Sequence, residues 1–125
     1  MAQAFDAVTF DGAAATSKSF SHTIANVADR IILASFQGGT VLVTSTSYNS
    51  VALTKIEEVS IGGAYLSQWG LIAPATGANT FAASWDGTSQ TIRVFVATYN
   101  GVSNVLPTNY LHSRETTGVT TYTVT

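Results

Sequence analysis

Residues 80–99, with the sequence TFAASWDGTSQTIRVFVATY, give the strongest indication of the fold class. Two runs rich in β-branched and aromatic residues, Thr80–Trp85 and Gln90–Tyr99, flank the turn-forming residues Asp86-Gly87-Thr88-Ser89. This arrangement is typical of a β-hairpin. Both faces of the second run carry large side chains, so we expect this strand to be central, with one face on the core.

An alternation of apolar and polar residues with a period of two, which is typical of β-strands, continues along the rest of the chain. Asn49-Ser50 fits a two-residue hairpin turn, because Asn tolerates the positive φ angle that such turns need. No run of ten residues has a clean helical period. The predicted strands are Ala4–Phe10, Lys18–Ala25, Arg30–Phe36, Val41–Tyr48, Val51–Val59, Ala64–Ile72, Thr80–Trp85, Gln90–Tyr99 and Val119–Val124.

These elements predict an all-β protein, a single antiparallel β-sandwich of about eight or nine strands, jelly-roll or immunoglobulin-like. Residues 1–102 are expected to form the β-sandwich core. Residues 103–125 form a C-terminal segment with a terminal strand that packs on its own sandwich or on a neighbouring subunit. The sequence leaves these two possibilities open.

The composition excludes several classes of function. Only 10% of residues are charged and the net charge is −2, so we expect no nucleic-acid partner. No apolar run approaches the length needed to cross a bilayer, so we expect no membrane partner. The 19 Thr and 13 Ser make up about a quarter of the chain. A weakly charged, hydroxyl-rich β-surface indicates either copies that sit close together or a secreted or thermotolerant β-domain with a plain polar face.

The two histidines do not indicate a metal or catalytic site. His22 alternates with Phe20 and Ile24, so we expect a half-buried imidazole whose hydrogen bonds are satisfied. His112 lies beside Arg114 in a polar segment, where a solvated or interfacial residue is expected. No zinc-ligand spacing occurs and the chain has no Cys, so we expect no metal and no cofactor.

The carboxylates also lack the pattern of an active site. Glu57 and Glu58 are adjacent in a strand and therefore point to opposite faces. Asp11-Gly12 and Asp86-Gly87 are better explained as turns than as calcium ligands. No nucleophile elbow or phosphate-binding loop occurs, so we predict no enzyme and no catalytic residue.

Aromatic residues suggest a different function, since sandwich domains can bind sugars by stacking rings on exposed aromatics. The candidate exposed aromatics are Tyr48, Tyr65, Trp69, Trp85 and Tyr99. Because Trp69 and Trp85 lie within strand patterns, burial is the competing expectation for both.

Three segments resemble a family of small β-domains common in tailed bacteriophages and in phage-derived bacterial genes. They are SYNSVALT (Ser47–Thr54), WGLIAPATG (Trp69–Gly77) and FVATYNGV (Phe95–Val102), which are similar to the family patterns TYNGVALT, WYLVAPATG and ASYTGV. Phe20–Thr23 and Arg30–Leu33 lie where the family has a Ser-His element and a strand of the type RLLVV. The chain departs from the pattern at Ser50, where the family has glycine, and after residue 102, where it is shorter than the longer members.

The resemblance implies a structural virion protein, a capsid decoration (cement) protein that braces the head shell. The implied partners are the major capsid protein and further copies of the chain as a homo-oligomer, a trimer. The implied location is the head surface of a virion assembled in the host cytoplasm. The alternative is a tail-fibre or host-receptor module that binds carbohydrate. A bacterial adhesive surface domain ranks behind both.

Under this hypothesis a terminal segment, residues 1–6 or 119–125, adds to a sheet edge of a neighbouring subunit. The candidate residues of these interface arms are Met1, Ala2, Gln3, Phe5, Val119, Tyr122 and Val124.

Overall fold

A computed structural model describes residues 3–102 and 105–106. The described part of the chain contains strands and no helix. The strands are β1 (Ala4–Asp11), β2 (Ser17–Ile24), β3 (Ile31–Gln37), β4 (Ser45–Tyr48), β5 (Val51–Ala52), β6 (Thr54–Ile61), β7 (Ala64–Ile72), β8 (Gly77–Ser84) and β9 (Arg93–Asn100). The predicted strand Val119–Val124 lies outside the described residues, as does nearly all of the predicted segment 103–125.

The strands form two antiparallel sheets that pack face to face. The five-stranded sheet has the order β1-β9-β3-β7-β6, and the four-stranded sheet has the order β2-β8-β4-β5. The core between them is built from inward-facing residues of both sheets. Phe36, Val94 and Val96 come from the first sheet, and Tyr48 and Phe81 come from the second. The prediction of an all-β antiparallel sandwich is therefore confirmed.

The predicted hairpin over residues 80–99 is wrong, although its two strands exist. β8 pairs with β2 and β4, whereas β9 pairs with β1 and β3 in the other sheet. The chain between them crosses from one sheet to the other, and Trp85 and Ile92 are buried at the two ends of this crossing. The turn itself forms, because the Asp86 carboxylate accepts hydrogen bonds from the Thr88 amide and hydroxyl at 3.0 and 2.6 Å.

The predicted strand Val51–Val59, which follows the turn at Asn49-Ser50, is also divided between the two sheets. β5 pairs with β4, but β6 pairs with β7 in the five-stranded sheet. Leu53, at the change of sheet, is buried, and its amide still donates to the Thr46 carbonyl at 3.0 Å. A buried residue at the crossing lets the chain leave one sheet without exposing apolar surface.

The turn between β4 and β5 is confirmed at Asn49-Ser50. Both residues have left-handed backbone angles, with φ of 49° and 64°, as a type I′ turn requires. Tyr48 and Val51 are the paired residues on either side. Ser50 thus occupies a left-handed position in which glycine is free of the steric cost that a β-carbon brings.

Candidate functional site

A buried polar cluster surrounds His22 between the two sheets. The imidazole is 1% exposed, and its Nδ1 and Nε2 lie 2.8 and 2.6 Å from the Oγ1 atoms of Thr9 and Thr98. The Tyr48 hydroxyl donates to the His22 carbonyl at 2.9 Å. The predicted satisfied histidine is confirmed, but it is fully rather than half buried. The cluster joins β1, β2, β4 and β9 and has no free ring nitrogen with which to bind a ligand.

Burial makes His22 a source of pH dependence in stability. Loss of hydration lowers the pKa of His22, and the nearby Asp6 carboxylate opposes this effect only in part. The unfolded chain therefore binds a proton near the ordinary pKa of about 6.5 while the folded chain does not. The free energy of unfolding should be highest above this pH and should fall as the pH drops below it.

We expect His22→Gln to flatten this dependence, because glutamine does not titrate. The measurement is chemical denaturation of both proteins at pH 7.5, 6.0 and 5.0. His112 is present in both chains and serves as an internal control. An unchanged slope in the variant would show that other groups cause the acid sensitivity.

The acidic residues of the described chain do not form a shared site. No group of three His, Asp or Glu side chains that could hold a metal occurs within residues 3–102. The Asp86 pKa is lowered by hydrogen bonds from the Thr88 hydroxyl and amide, as expected for a turn residue. Lys55 Nζ donates to Glu58 Oε2 at 3.3 Å. The Glu58 amide donates to Glu57 Oε1 at 2.8 Å.

The predicted exposed aromatics are in large part wrong. Tyr48 is completely buried, and Trp69 and Trp85 are each only 7% exposed. The polar groups of all three have partners inside the protein, for example the Trp85 indole, which donates to the Thr88 carbonyl at 2.8 Å. Tyr65 and Tyr99 are half-buried. These five residues therefore do not form a common stacking surface.

The exposed aromatics lie instead on the outer face of the five-stranded sheet. Phe5, Phe10 and Phe95 are 59%, 54% and 38% exposed, and Val8 beside them is 56% exposed. Strict alternation did not reveal this set, because the register shifts between Phe5 and Ala7. The shift places Phe5, Val8 and Phe10 on one face although they are not evenly spaced in sequence.

The candidate residues of the N-terminal arm lie in β1 or before it. Met1 and Ala2 lie outside the described residues, and Gln3 is exposed. Ala4 and Phe5 pair with Asn100 and Tyr99 in the chain's own sheet, where β1 is an edge strand whose other edge has no partner among the described residues. The proposed C-terminal arm residues Val119, Tyr122 and Val124 lie outside the described residues.

The outer surface of the four-stranded sheet, which we call the serine face, has a depression lined by small side chains such as Ser19, Ser47 and Ala82. Cross-strand partners give it rows of small side chains, so that Ser17 aligns with Ser84 and Ser45, and Ser19 aligns with Ala82 and Ser47. The two hydroxyls of Ser45 and Ser84 lie 2.5 Å apart. No charged side chain stands among the outward-facing residues of these rows, because Lys18 of the same strand points inward and is 3% exposed. The serine face is therefore a surface that another protein can approach closely without displacing charge.

Comparisons with protein families, with curated proteins and with solved structures find no match for this chain. Among the described residues, the search for a helix long and apolar enough to span a membrane finds none.

Proposed function

We propose that the chain is a structural virion protein of a tailed bacteriophage, a capsid decoration protein that braces the head shell. In this proposal it binds the major capsid protein and further copies of itself, as a trimer at local threefold positions of the head surface. The support comes from the sequence resemblance, from the sandwich fold and from the surface. Catalysis and a cofactor have no part in it.

The serine face is the observation that carries this proposal. Protein–protein contact requires that surface groups lose water, and hydroxyl and methyl groups do so at far lower cost than isolated charges. Small side chains also lose little rotamer entropy when a partner covers them. A sheet face of small uncharged side chains therefore fits a protein partner such as a capsid shell, and the low net charge adds little long-range repulsion between neighbouring copies.

Co-sedimentation with undecorated head shells of the parent phage tests the proposal. We expect saturable binding with a fixed number of copies per capsomer. Ser19→Lys, which places a charge in the middle of the serine face, should weaken this binding by at least about tenfold, because an ammonium group then loses its hydration at the contact.

Ser60→Lys is the matched control, because Ser60 is exposed on β6 in the other sheet. It should bind as the unmodified chain does. Absence of any pelleting by the unmodified chain would contradict the decoration role. Equal binding of head shells by both lysine variants would instead show that the serine face is not the contact surface.

The alternative, a tail-fibre or receptor module that binds carbohydrate, has less support from the structure. Three of its five candidate aromatics are buried in the core. Among the described residues the most exposed rings are phenylalanines, which lack the polar group that helps Tyr and Trp at wet surfaces. Specific responses on a glycan array would favour this alternative over the decoration role.

A further inference from the structure

Strand β1 closes one side of the sandwich without contributing to its core. It lies at the edge of the five-stranded sheet, and β9 is its partner among the described strands. None of its residues belongs to the cluster of buried residues between the sheets. Its large apolar side chains, Phe5, Val8 and Phe10, are instead more than half exposed. The hydrophobic effect therefore holds β1 less firmly than it holds the central strands.

Polar contacts, which we call the polar seam, hold the inner side of β1 against the other sheet. Three side chains of β1 each contact one group in β2 or directly after it, at 2.8 to 3.0 Å: Asp6 Oδ2 the Ala25 amide, Thr9 Oγ1 the His22 Nδ1, and Asp11 Oδ1 the Lys18 Nζ. When β1 leaves, water reaches these groups and replaces the lost hydrogen bonds, so the net stabilisation from each is small. The polar seam therefore specifies the position of β1 more than it prevents its departure.

The place beside β9 is complementary to the sequence of β1. The two strands form seven cross-strand pairs, with a register shift between Phe5 and Ala7. On the outer face the ring centroids of Phe10 and Phe95 are 4.7 Å apart, and those of Phe5 and Tyr99 are 5.9 Å apart. Backbone pairing, ring contacts and the polar seam all depend on the sequence of the strand. None of them depends on the copy of the chain to which the strand belongs.

A short connection joins β1 to β2. Ala15 and Gln90 bond to each other in both directions, with N···O distances of 3.0 and 2.9 Å. Only Gly12-Ala13-Ala14 therefore separates the end of β1 from a fixed point of the sandwich. A short hinge favours exchange of an element between copies, because a tight reversal limits how the element packs back on its own domain. When these residues straighten, β1 extends away from its own sandwich.

We propose that β1 is exchanged between copies of the chain, so that it leaves its own sandwich and takes the same place beside β9 of a second copy. Exchange of an identical element costs little, because each contact that is lost forms again in the partner. A short connection gives β1 an effective concentration on the order of millimolar beside its own β9. Exchange is therefore expected where copies reach a similar local concentration. This inference goes beyond the proposed function and does not depend on it.

Disulfide trapping between full-length chains tests the exchange, since the chain contains no cysteine of its own. Val8 and Ala97 are cross-strand partners of β1 and β9. The α-carbons of such partners lie about 4.5–5.5 Å apart, which is a separation that a disulfide bridges. A Val8→Cys chain and an isotopically labelled Ala97→Cys chain are mixed at about 1 mM each in a glutathione buffer, so that copies are as concentrated as exchange requires. Mass spectrometry measures the yield of the mixed disulfide.

The matched control is a mixture of Ser47→Cys and Ala82→Cys chains. These residues are also cross-strand partners on the outer face of a sheet. Their strands do not separate without unfolding, because β8 lies inside its sheet and contributes the buried Phe81 to the core. We expect at least about tenfold more mixed disulfide from the Val8 and Ala97 pair, because only exchange holds thiols of two copies side by side.

Equal yields from the two mixtures would overturn the inference, since chance encounters of surface thiols would then explain both. Hydrogen exchange of the unmodified chain is a second measurement that needs no variant. The β1 amides bonded to β9 should exchange at least about 10²-fold faster than the β8 amides, because β1 opens without global unfolding. Equal exchange rates in β1 and β8 would also overturn the inference. Because no shell is present, failure here is separate from failure of the decoration role.

Discussion

Deletion of residues Glu115–Thr125 is expected to abolish the binding of this protein to head shells while the sandwich stays folded. At the N-terminus, Ala4 and Phe5 are held in β1 by their own chain. In the proposal, the C-terminal segment supplies the arm that adds to a neighbouring subunit. In the proposal, each copy of a trimer contributes one such arm. Linked weak contacts exceed a single contact by about 10²–10⁴-fold in affinity, so loss of all arms at once removes measurable binding.

Thermal unfolding should confirm that the shortened chain is folded. A matched control keeps the full length but carries residues 115–125 in scrambled order, so that composition is constant and the alternating pattern is lost. Shell binding of the shortened chain at full strength would show that the arm has no part in attachment. Full binding of the scrambled chain would show that length, not sequence, matters.

The sequence predicted the strands well because their alternation is a local property. β1, β2, β3 and β7 begin and end within one or two residues of the predicted bounds. Inward-facing residues such as Val94 and Val96 alternate with outward-facing ones regardless of which strand lies beside them. The central position of β9 was also predicted correctly, since it lies between β1 and β3 with one face on the core.

Strand partners were harder to predict because they depend on distant parts of the chain. The turn at Asp86–Ser89 has the composition of a hairpin turn, yet the chain there crosses between sheets. β8 and β9 do not pair with each other because other strands lie on both edges of each. β2 is one neighbour of β8, and β3 is one neighbour of β9. Local turn chemistry therefore identifies a reversal of the chain but not the sheet that it enters.

The exposure of aromatic residues could not be predicted for a related reason. Tyr48 faces inward because its ring packs in the core and its hydroxyl donates to the carbonyl of His22, which lies far away in sequence. Phe5 and Phe10 face outward because an irregular register near Asp6 changes the phase of β1. Alternation separates the two faces of a strand, but it does not say which face meets the core.

Substitution of Asp11 by Asn is expected to lower the free energy of unfolding by about 3 kcal/mol, because it leaves a buried ammonium group without its counter-ion. Lys18 Nζ is 2.8 Å from Asp11 Oδ1, and the Lys18 side chain is 1% exposed whereas that of Asp11 is 32% exposed. The ammonium also donates to the Ala13 carbonyl, and the Ala13 amide donates to Asp11 Oδ1 at 2.9 Å. Chemical denaturation at pH 7 measures the effect.

The pH dependence of this loss has a definite sign. The Lys18 hydrogen bond is the main reason that the pKa of Asp11 is lowered, and a lowered carboxyl pKa stabilises the fold above the unfolded value of about 3.9. This contribution disappears as the pH falls through the pKa of the folded state. The difference between the unmodified chain and Asp11→Asn should therefore be constant from pH 5 to 8 and should shrink below about pH 4.

Lys18→Met is the informative control, because the two partners of this ion pair are not equivalent. Methionine replaces the buried ammonium by an apolar group of similar length, and the Asp11 carboxylate that remains can reach water. Replacement of a buried charge by an apolar residue is often neutral or stabilising, so we expect Lys18→Met to unfold within about 1 kcal/mol of the unmodified chain. Adding Lys18→Met to Asp11→Asn should then recover most of the lost stability, since the double variant has no buried charge to compensate. If Asp11→Asn costs less than about 1 kcal/mol, water reaches the ammonium and the pair acts as a surface salt bridge.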